Sequence, residues 1–231
     1  NNCQVRLKNG YMHFPKSIGI APMKTKIPNG SKLGSARVIP KSNHFVVEFV
    51  YEVLEQSLKA DNGNYLGIDI GLNNLATCVS NVTDNFNDKQ LKAINNFYNK
   101  RRKKLQSKLS KNKYISKRID RLTFRRNTKI KNYIHHASKF VVEEAKKYNV
   151  TKIIIGKNEQ WKQNINIGKK NNRDFASIPH AIFIEQIKYK AKLVGIETVL
   201  TQEAYTSKCS ALDFEPIQKH EIYVGKRVKR G

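Results

Sequence analysis

The sequence predicts an α/β fold in which a mixed sheet is interrupted by a long basic helical insertion and preceded by a small β module. After residue 61, strand-like and helix-like segments alternate, which is typical of α/β sheets. Residues 91–148 combine helical periodicity with a large excess of Lys and Arg, whereas residues 1–60 contain only short strand patterns. We therefore expect a partial β domain at residues 1–60 and an α/β domain at 61–231, with the insertion at 91–148.

The N-terminal segment shows two hairpin patterns. Residues 4–7 and 11–14 flank Lys8-Asn9-Gly10, and residues 36–39 and 45–52 flank a turn-rich segment that begins with Pro40. Short strands of this kind predict a small barrel or sheet that is distinct from the α/β domain. A solvated β domain and a nucleic-acid platform are equally compatible with its basic loops.

The segment of residues 65–81 predicts two strands, 65–70 and 75–80, joined by a tight turn at Gly71, Asn73 and Asn74. Asp69 lies between isoleucines in the first strand. An ionised acid in an apolar sheet is costly unless it is paired or binds a metal. Asp69 is therefore a candidate site residue, although capping a turn or pairing with a lysine is the simpler alternative.

The insertion predicts two helices with apolar residues at spacings close to 3.6. The apolar stripe of the first helix is Leu91, Ile94, Tyr98, Leu105 and Leu109, and that of the second is Ile119, Leu122, Ile130, Tyr133, Ala137, Val141 and Ala145. Residues 97–132 hold 15 Lys or Arg and one acid, Asp120, which is +14 of the chain's net charge of +26. Solvated helix faces usually mix both signs, so we interpret this as a surface that follows a phosphate backbone. The candidate nucleic-acid contacts are Lys100, Arg101, Arg102, Lys103, Lys104, Arg118, Arg121, Arg125, Arg126 and Lys129.

The pattern after the insertion predicts a strand at 151–156, a helix at 178–194 and a strand at 196–203. Crossover helices make successive strands parallel, so Asp69, Gly156 and Glu203 are expected at one edge of the sheet. Ligands of open α/β sheets bind at that edge. This strand order is that of the ribonuclease H superfold, in which acids from different strands hold two divalent metals.

The composition narrows the classes of partner and compartment. A net charge of +26 favours nucleic acid as a partner. No apolar run approaches the roughly 20 residues of a membrane span. Three cysteines form no disulfide framework, which indicates a cytoplasmic setting. Because the chain starts at Asn1 without Met and stops within a basic run at Gly231, we expect a fragment truncated at its C-terminus.

Four features occur in one order: GIDIGLNNLATC, the basic insertion with its Lys-Arg pairs, IIIGKNEQWKQNINIGKKNN and EAYTSKCSALD. In these features the chain resembles the OrfB/TnpB proteins of bacterial insertion sequences, which are relatives of the type V CRISPR effector nucleases. The resemblance covers roughly residues 60–231, and more loosely the N-terminal module as a wedge-like domain. It implies a transposase-family, RuvC-like nuclease that binds a guide RNA and cuts target DNA with Mg²⁺ or Mn²⁺.

The resemblance carries the first catalytic and metal-binding acid over to Asp69. In the family, the strand that corresponds to residues 151–156 commonly ends with Glu, where this chain has Gly156. Glu203, at the end of the neighbouring strand, is our candidate for the missing carboxylate, ahead of Glu159 in a polar loop. The alternative is a dead site in a protein that only binds. The family's third acid would fall beyond Gly231, so we expect cleavage by this segment to be weak or absent.

Further expectations concern the loops, zinc and assembly. Many relatives carry paired Cys-x-x-Cys motifs, but here Cys209 stands alone, so we predict no zinc. The implied partners are guide RNA and target DNA, with no membrane, in a monomer or homodimer associated with a prokaryotic nucleoid. Additional candidate nucleic-acid contacts are Trp161, Lys162, Lys169, Lys170, Thr206, Ser207 and Lys208.

Two rival functions remain open. The pattern Gly-Ile-Asp-x-Gly-x-x-Asn also resembles the first phosphate loop of the actin and Hsp70 ATPases, which a saturable ATP titration without RNA affinity would support. A nuclease-dead, RNA-guided DNA-binding protein would bind its target without cutting it in Mg²⁺ or Mn²⁺.

Overall fold

The structure is a computed structural model that describes residues 5–41, 44–54, 56–71, 73–84, 86–87, 90–110, 112–157, 177–206 and 208–224. The chain divides into two compact units, Asn1–Glu55 and Gln56–Gly231. Residues 56–60, expected in the β module, belong to the second unit, where the Lys59 amide donates to the carbonyl of Gly195 at 2.9 Å. None of the helices in the described ranges is long and apolar enough to span a membrane.

The first unit contains two small antiparallel sheets. Its strands are β1 (Arg6–Lys8), β2 (Tyr11–His13), β3 (Met23–Lys24), β4 (Leu33–Lys41) and β5 (His44–Tyr51). The first sheet has the order β1-β2-β3, and β4 pairs with β5. Asn9 and Gly10 both have positive φ (52° and 74°), as a two-residue type I′ hairpin turn requires. The predicted hairpins are present; β3 was not predicted, because two residues leave no periodic signal.

The second unit is built on one mixed sheet. Its elements are β6 (Tyr65–Asp69), β7 (Thr77–Ser80), β8 (Phe86–Asn87), α1 (Gln90–Gln106), α2 (Lys117–Lys147), β9 (Lys152–Gly156), α3 (His180–Lys192) and β10 (Glu197–Thr201). The strand order is β10-β9-β6-β7-β8. β6, β7 and β8 are antiparallel neighbours, whereas β6 pairs with β9, and β9 with β10, in parallel.

The core lies between this sheet and the helices α2 and α3. Leu66 and Ile68 of β6 and Ile153 and Ile155 of β9 are buried, and they alternate with less buried neighbours as a pleated strand requires. The helices cover them with residues spaced three or four apart: Ile130, Ile134, Ala137, Val141 and Ala145 of α2, and Phe183, Ile184, Ile187 and Ala191 of α3. The part of the predicted α2 stripe from Ile130 onward is therefore the face that packs on the sheet.

Two boundaries differ from the sequence-based prediction. β6 ends at Asp69 and β7 begins at Thr77, so a longer connection replaces the expected tight turn, with Ile70, Leu75 and Ala76 buried in it. Burial of these apolar side chains stabilises the connection. α1 ends at Gln106, before the last expected apolar position, Leu109.

Candidate active site and nucleic-acid interface

The carboxyl ends of three parallel strands lie at one edge of the sheet. Ile68 pairs with Ile155, so Asp69 and Gly156 end β6 and β9 side by side. Gly156 in turn pairs with Thr201, the last residue of β10. The ladder continues past Gly156, because the Lys157 amide donates to the Thr201 carbonyl at 2.8 Å. The strand directions inferred from the sequence therefore occur in the structure, and they bring Asp69 to the edge where α/β sheets bind ligands.

Glu203 lies two residues beyond β10, in a turn that directs its side chain over Gly156. Both the amide and the hydroxyl of Thr206 donate to the Glu203 carbonyl, at 3.4 and 3.0 Å, which closes the turn. A Cβ atom placed on Gly156 would overlap the Cγ, Cδ and Oε1 atoms of Glu203. Glycine at 156 leaves open the space that the Glu203 carboxylate occupies, and a side chain at 156 would force Glu203 to move.

The Glu203 carboxyl is half-buried and interacts with Asp69. Burial raises the pKa of Glu203, and the negative charge of Asp69 raises this pKa further. Two acids distant in sequence are thus close enough to repel one another. Carboxylate oxygens in such a pair suit hard divalent cations. Elsewhere in the described ranges, as here, His, Cys, Asp and Glu form no cluster of three that could hold a metal.

His180 connects α3 to the loop that follows Asp69. Its ring is buried, and its Nε2 lies 3.2 Å from the Gly71 carbonyl, so Nε2 carries the hydrogen and donates it. This contact holds the β6–β7 connection against the first turn of α3. The sequence-based prediction missed His180; its position beside Pro179, at a predicted helix start, was the available signal.

The cationic insertion forms a helical hairpin with an open seam at its far end. A cleft of about 420 Å³ separates the end of α1 from the start of α2. We call this the hairpin cleft; it is lined by Arg101, Lys104, Leu105, Lys108, Arg118, Arg121, Leu122 and Arg125. The remaining predicted contacts Lys100, Arg102, Lys103 and Lys129 are exposed on other faces of the helices. Lys108 was missed, although it lies seven residues, two helical turns, after Arg101.

Arg126, one of the predicted contacts of the insertion, is hydrogen-bonded within the fold. Its guanidinium donates to the Oδ1 of buried Asn95 from Nε at 2.9 Å and Nη2 at 2.7 Å, and from Nη2 to the Ser177 carbonyl at 3.0 Å. Burial lowers its pKa. These hydrogen bonds link α1, α2 and the segment before α3, and a nucleic-acid contact from Arg126 stays a prediction. Its spacing, four residues before buried Ile130, was the signal for this inward direction.

The segment after β10 is held by local contacts. Beyond the Thr206 hydrogen bonds, Lys208 Nζ lies 5.4 Å from the ring centroid of Tyr223, and Cys209 Sγ donates to the Gln218 carbonyl at 3.7 Å. Thr206 thus acts as a cap, which was the ordinary alternative to a phosphate contact. A phosphate contact from Lys208 and the absence of zinc stay predictions. Glu159, Trp161, Lys162, Lys169, Lys170 and Ser207 lie outside the described residues.

Comparisons with known proteins give one family and one fold. The family model OrfB_IS605, described as "Probable transposase", matches residues 48–162. A TnpB-like protein of Methanocaldococcus jannaschii is 33% identical over 126 residues, which are 52% of this chain and 43% of that protein.

Two solved structures resemble the fold. A Cas12f1–sgRNA–target DNA complex has a TM-score of 0.52 at 18% identity, over 90% of this chain and 53% of that one. A CRISPR–Cas12f ternary complex has a TM-score of 0.52 at 20% identity, over 76% of this chain and 36% of that one. The chain thus spans about half the length, or less, of the proteins it matches.

Proposed function

Given that the chain belongs to the OrfB/TnpB family, we propose that it is part of a transposon-encoded, RNA-guided DNA endonuclease. The observation that carries this proposal is the position of the Glu203 carboxylate over Gly156, within electrostatic reach of Asp69. A carboxylate there compensates for the glycine that stands where the family commonly has Glu.

The sheet supports a ribonuclease H-like, RuvC-type assignment. Antiparallel β6, β7 and β8 and parallel β9 and β10 occur in the order that this superfold uses, with the basic hairpin inserted before β9. We assign the two small sheets of the first unit to a wedge-like module on the weaker ground of the family resemblance. Because the chain spans only part of its relatives, a third acid from outside this segment belongs to the proposal.

Asp69 and Glu203 are the residues that would hold Mg²⁺ or Mn²⁺. When bound, such an ion supplies Lewis-acid stabilisation of a phosphodiester and a more acidic water. The chain's own residues orient the donors: β6 fixes Asp69, the Thr206 turn fixes Glu203, and His180 holds the loop after Asp69. The mutual repulsion of the two carboxylates, which raises the pKa of Glu203, favours a cation between them.

Guide RNA and target DNA are the proposed partners. Cas12f is described in complex with sgRNA and target DNA, and this chain concentrates its positive charge in a hairpin that such polyanions would neutralise. The assembly would be a monomer or homodimer, located in the cytoplasm with the nucleoid.

A plasmid-cleavage assay tests the proposal. The protein, its guide RNA and a matching supercoiled target are incubated with Mg²⁺, and linear product is measured. Asp69→Ala and Glu203→Gln are each expected to lower the rate about 100-fold, the usual scale for a lost metal ligand or its support. Glu185→Gln is the matched control, because Glu185 is exposed on α3 and its ion pair in the described part of the chain is with Lys188 of the same helix.

A carboxylate exchange tests the role of Glu203 directly. Gly156→Glu alone places two acids in one space, so Glu203 has to turn away, and the variant should cut more slowly than the double variant that follows. Gly156→Glu combined with Glu203→Gly returns the carboxylate to β9 and should restore a measurable rate. If Glu203→Gln cuts at the wild-type rate, Glu203 is not the second acid.

A binding-only function is the second candidate, and it is favoured by the presence of two rather than three acids at the edge in the described part of the chain. Guide-dependent target binding by wild type, without cutting in Mg²⁺ or Mn²⁺, would support it over the nuclease.

A further inference from the structure

The hairpin cleft has the residue spacing of a helix–helix seam but the chemistry of an anion site. Its lining follows the same i, i+3, i+4, i+7 spacing twice, from Arg101 on α1 into the turn that follows α1, and from Arg118 on α2. In a helical hairpin these positions normally pack as apolar neighbours. Here six of the eight are Lys or Arg, and only Leu105 and Leu122 are apolar.

The cations of the cleft have no acidic partners among the residues that the structure describes. The ion pairs in the described residues are formed by lysines outside the cleft, namely Lys32, Lys139, Lys147, Lys152 and Lys188. Asp120, the single acid in residues 97–132, does not line the cleft. Six like charges that face one another across a seam repel, which holds the helices apart. An anionic ligand would remove this cost.

The seam closes again toward the sheet. Tyr98 Oη and Thr123 Oγ1 lie 3.0 Å apart, and Arg126 is bound to Asn95 one turn further on. The opening is therefore local, with a closed inner end. Its volume of about 420 Å³ falls in the range of about 300–1,000 Å³ that is typical of small-molecule pockets. This volume accommodates a nucleotide rather than a phosphate group alone.

The apolar residues indicate what accompanies the phosphate. Leu105 and Leu122 are half-buried between the cations, one from each helix, and offer an apolar surface to a base or sugar. The connection between the helices also carries Tyr114, which is 77% exposed and can stack an adjacent base. Bases within a duplex are stacked on one another and cannot reach such a surface.

We propose that the hairpin cleft binds one unpaired nucleotide of a nucleic-acid strand, with its phosphates among the six cations and its base or sugar on Leu105 and Leu122. This inference rests on the proposed nucleic-acid function and adds a defined subsite to it. An RNA loop and a displaced DNA strand share this chemistry.

The test compares two double variants with the same charge loss on the same helix. Arg101→Gln/Lys104→Gln removes two cations of the cleft, and Arg102→Gln/Lys103→Gln removes the adjacent Arg and Lys, which lie outside it. Binding of single-stranded RNA, single-stranded DNA of the same sequence and the DNA duplex is measured by fluorescence anisotropy over a range of salt concentrations. The tighter of the two single-strand arms identifies the source of the nucleotide.

The cleft variant should lose about tenfold in single-strand affinity, and its salt slope should fall by about 1.4, or 0.7 for each lost phosphate contact. The control variant should lose about threefold or less in single-strand affinity. The two variants should bind the duplex with similar affinity. Without nucleic acid, the cleft variant should melt higher than the control at low salt, because it relieves repulsion across the seam.

Three results would overturn the inference: equal single-strand losses in both variants, an equal effect of the cleft variant on duplex and single strand, or no difference in melting temperature. If wild type binds none of the three probes, the proposed nucleic-acid function itself fails.

Discussion

The Glu203 side chain, from a turn beyond β10, occupies the space beside Gly156 at the end of β9. The position of Asp69 and Glu203 at one edge of the sheet was predictable from the sequence, because parallel strands end together. The position of the Glu203 side chain over Gly156 was not predictable, because the direction of this side chain depends on the turn that Thr206 closes beyond β10. Such a turn leaves no periodic pattern in the sequence.

The raised pKa of Glu203 predicts a pH-dependent stability effect. Folding raises this pKa, so charging Glu203 destabilises the folded protein, and the wild type loses stability as pH rises through the folded pKa. Glu203→Gln avoids that loss. In EDTA at pH 7 it should be more stable than wild type by up to about 1 kcal/mol, a small value because the half-buried carboxyl is screened by solvent. Urea unfolding from pH 4 to pH 8 measures it.

The gain should be smallest at pH 4, where the carboxyl is mostly protonated in both states, since an unperturbed Glu has a pKa of about 4.3. Glu185→Gln should show no rise in relative stability with pH. A gain for Glu203→Gln that is largest at pH 4 would contradict the assigned direction.

At the scale of the element, Arg126 shows what a charge count misses. Arg125 and Arg126 are adjacent in a run of cations, yet Arg125 lines the hairpin cleft and Arg126 hydrogen-bonds inside the structure. The helical phase relative to Ile130 was readable. The hydrogen-bond acceptors of Arg126 could not be predicted from the sequence, because Asn95 and the Ser177 carbonyl reach Arg126 only through tertiary packing.

Arg126→Ala should destabilise the protein by about 2–3 kcal/mol, because it leaves the buried Oδ1 of Asn95 without its charged donor. Arg125→Ala, at the exposed neighbour, should change the free energy of unfolding by less than about 0.5 kcal/mol. Chemical denaturation of both variants in the same buffer measures this. Equal effects would return Arg126 to the exposed cationic surface.

Element types were more predictable than element limits. The periodicity of α2 and the apolar runs of β6 and β9 result from burial against one another, so they are visible in the sequence. The limits of the β6–β7 connection are not visible in the sequence, because Ile70, Leu75 and Ala76 are as apolar as strand residues but are buried outside the strands.

At the scale of the whole molecule, the charge of +26 opposes folding of the free protein. Raising the salt concentration from about 10 mM to about 150 mM shortens the Debye length from about 30 Å to about 8 Å. The melting temperature should therefore rise, by about 2–4 °C for each kcal/mol of repulsion screened.

Differential scanning fluorimetry in potassium chloride and potassium glutamate of equal ionic strength measures this rise. Equal shifts are expected from screening. A melting temperature that does not change with salt, or that rises in one salt alone, would contradict it.

The parallel pairing of β6 with β9 also affects how the protein is made. Tyr65 pairs with Lys152, and the whole helical hairpin lies between them in the chain. During synthesis the hairpin leaves the ribosome before the central strand has its parallel partner, and closing so long a loop is slow. An unpaired apolar strand edge is prone to aggregate in that interval. The like charges of the hairpin destabilise the folded protein by repulsion, but the same repulsion between nascent chains opposes their aggregation.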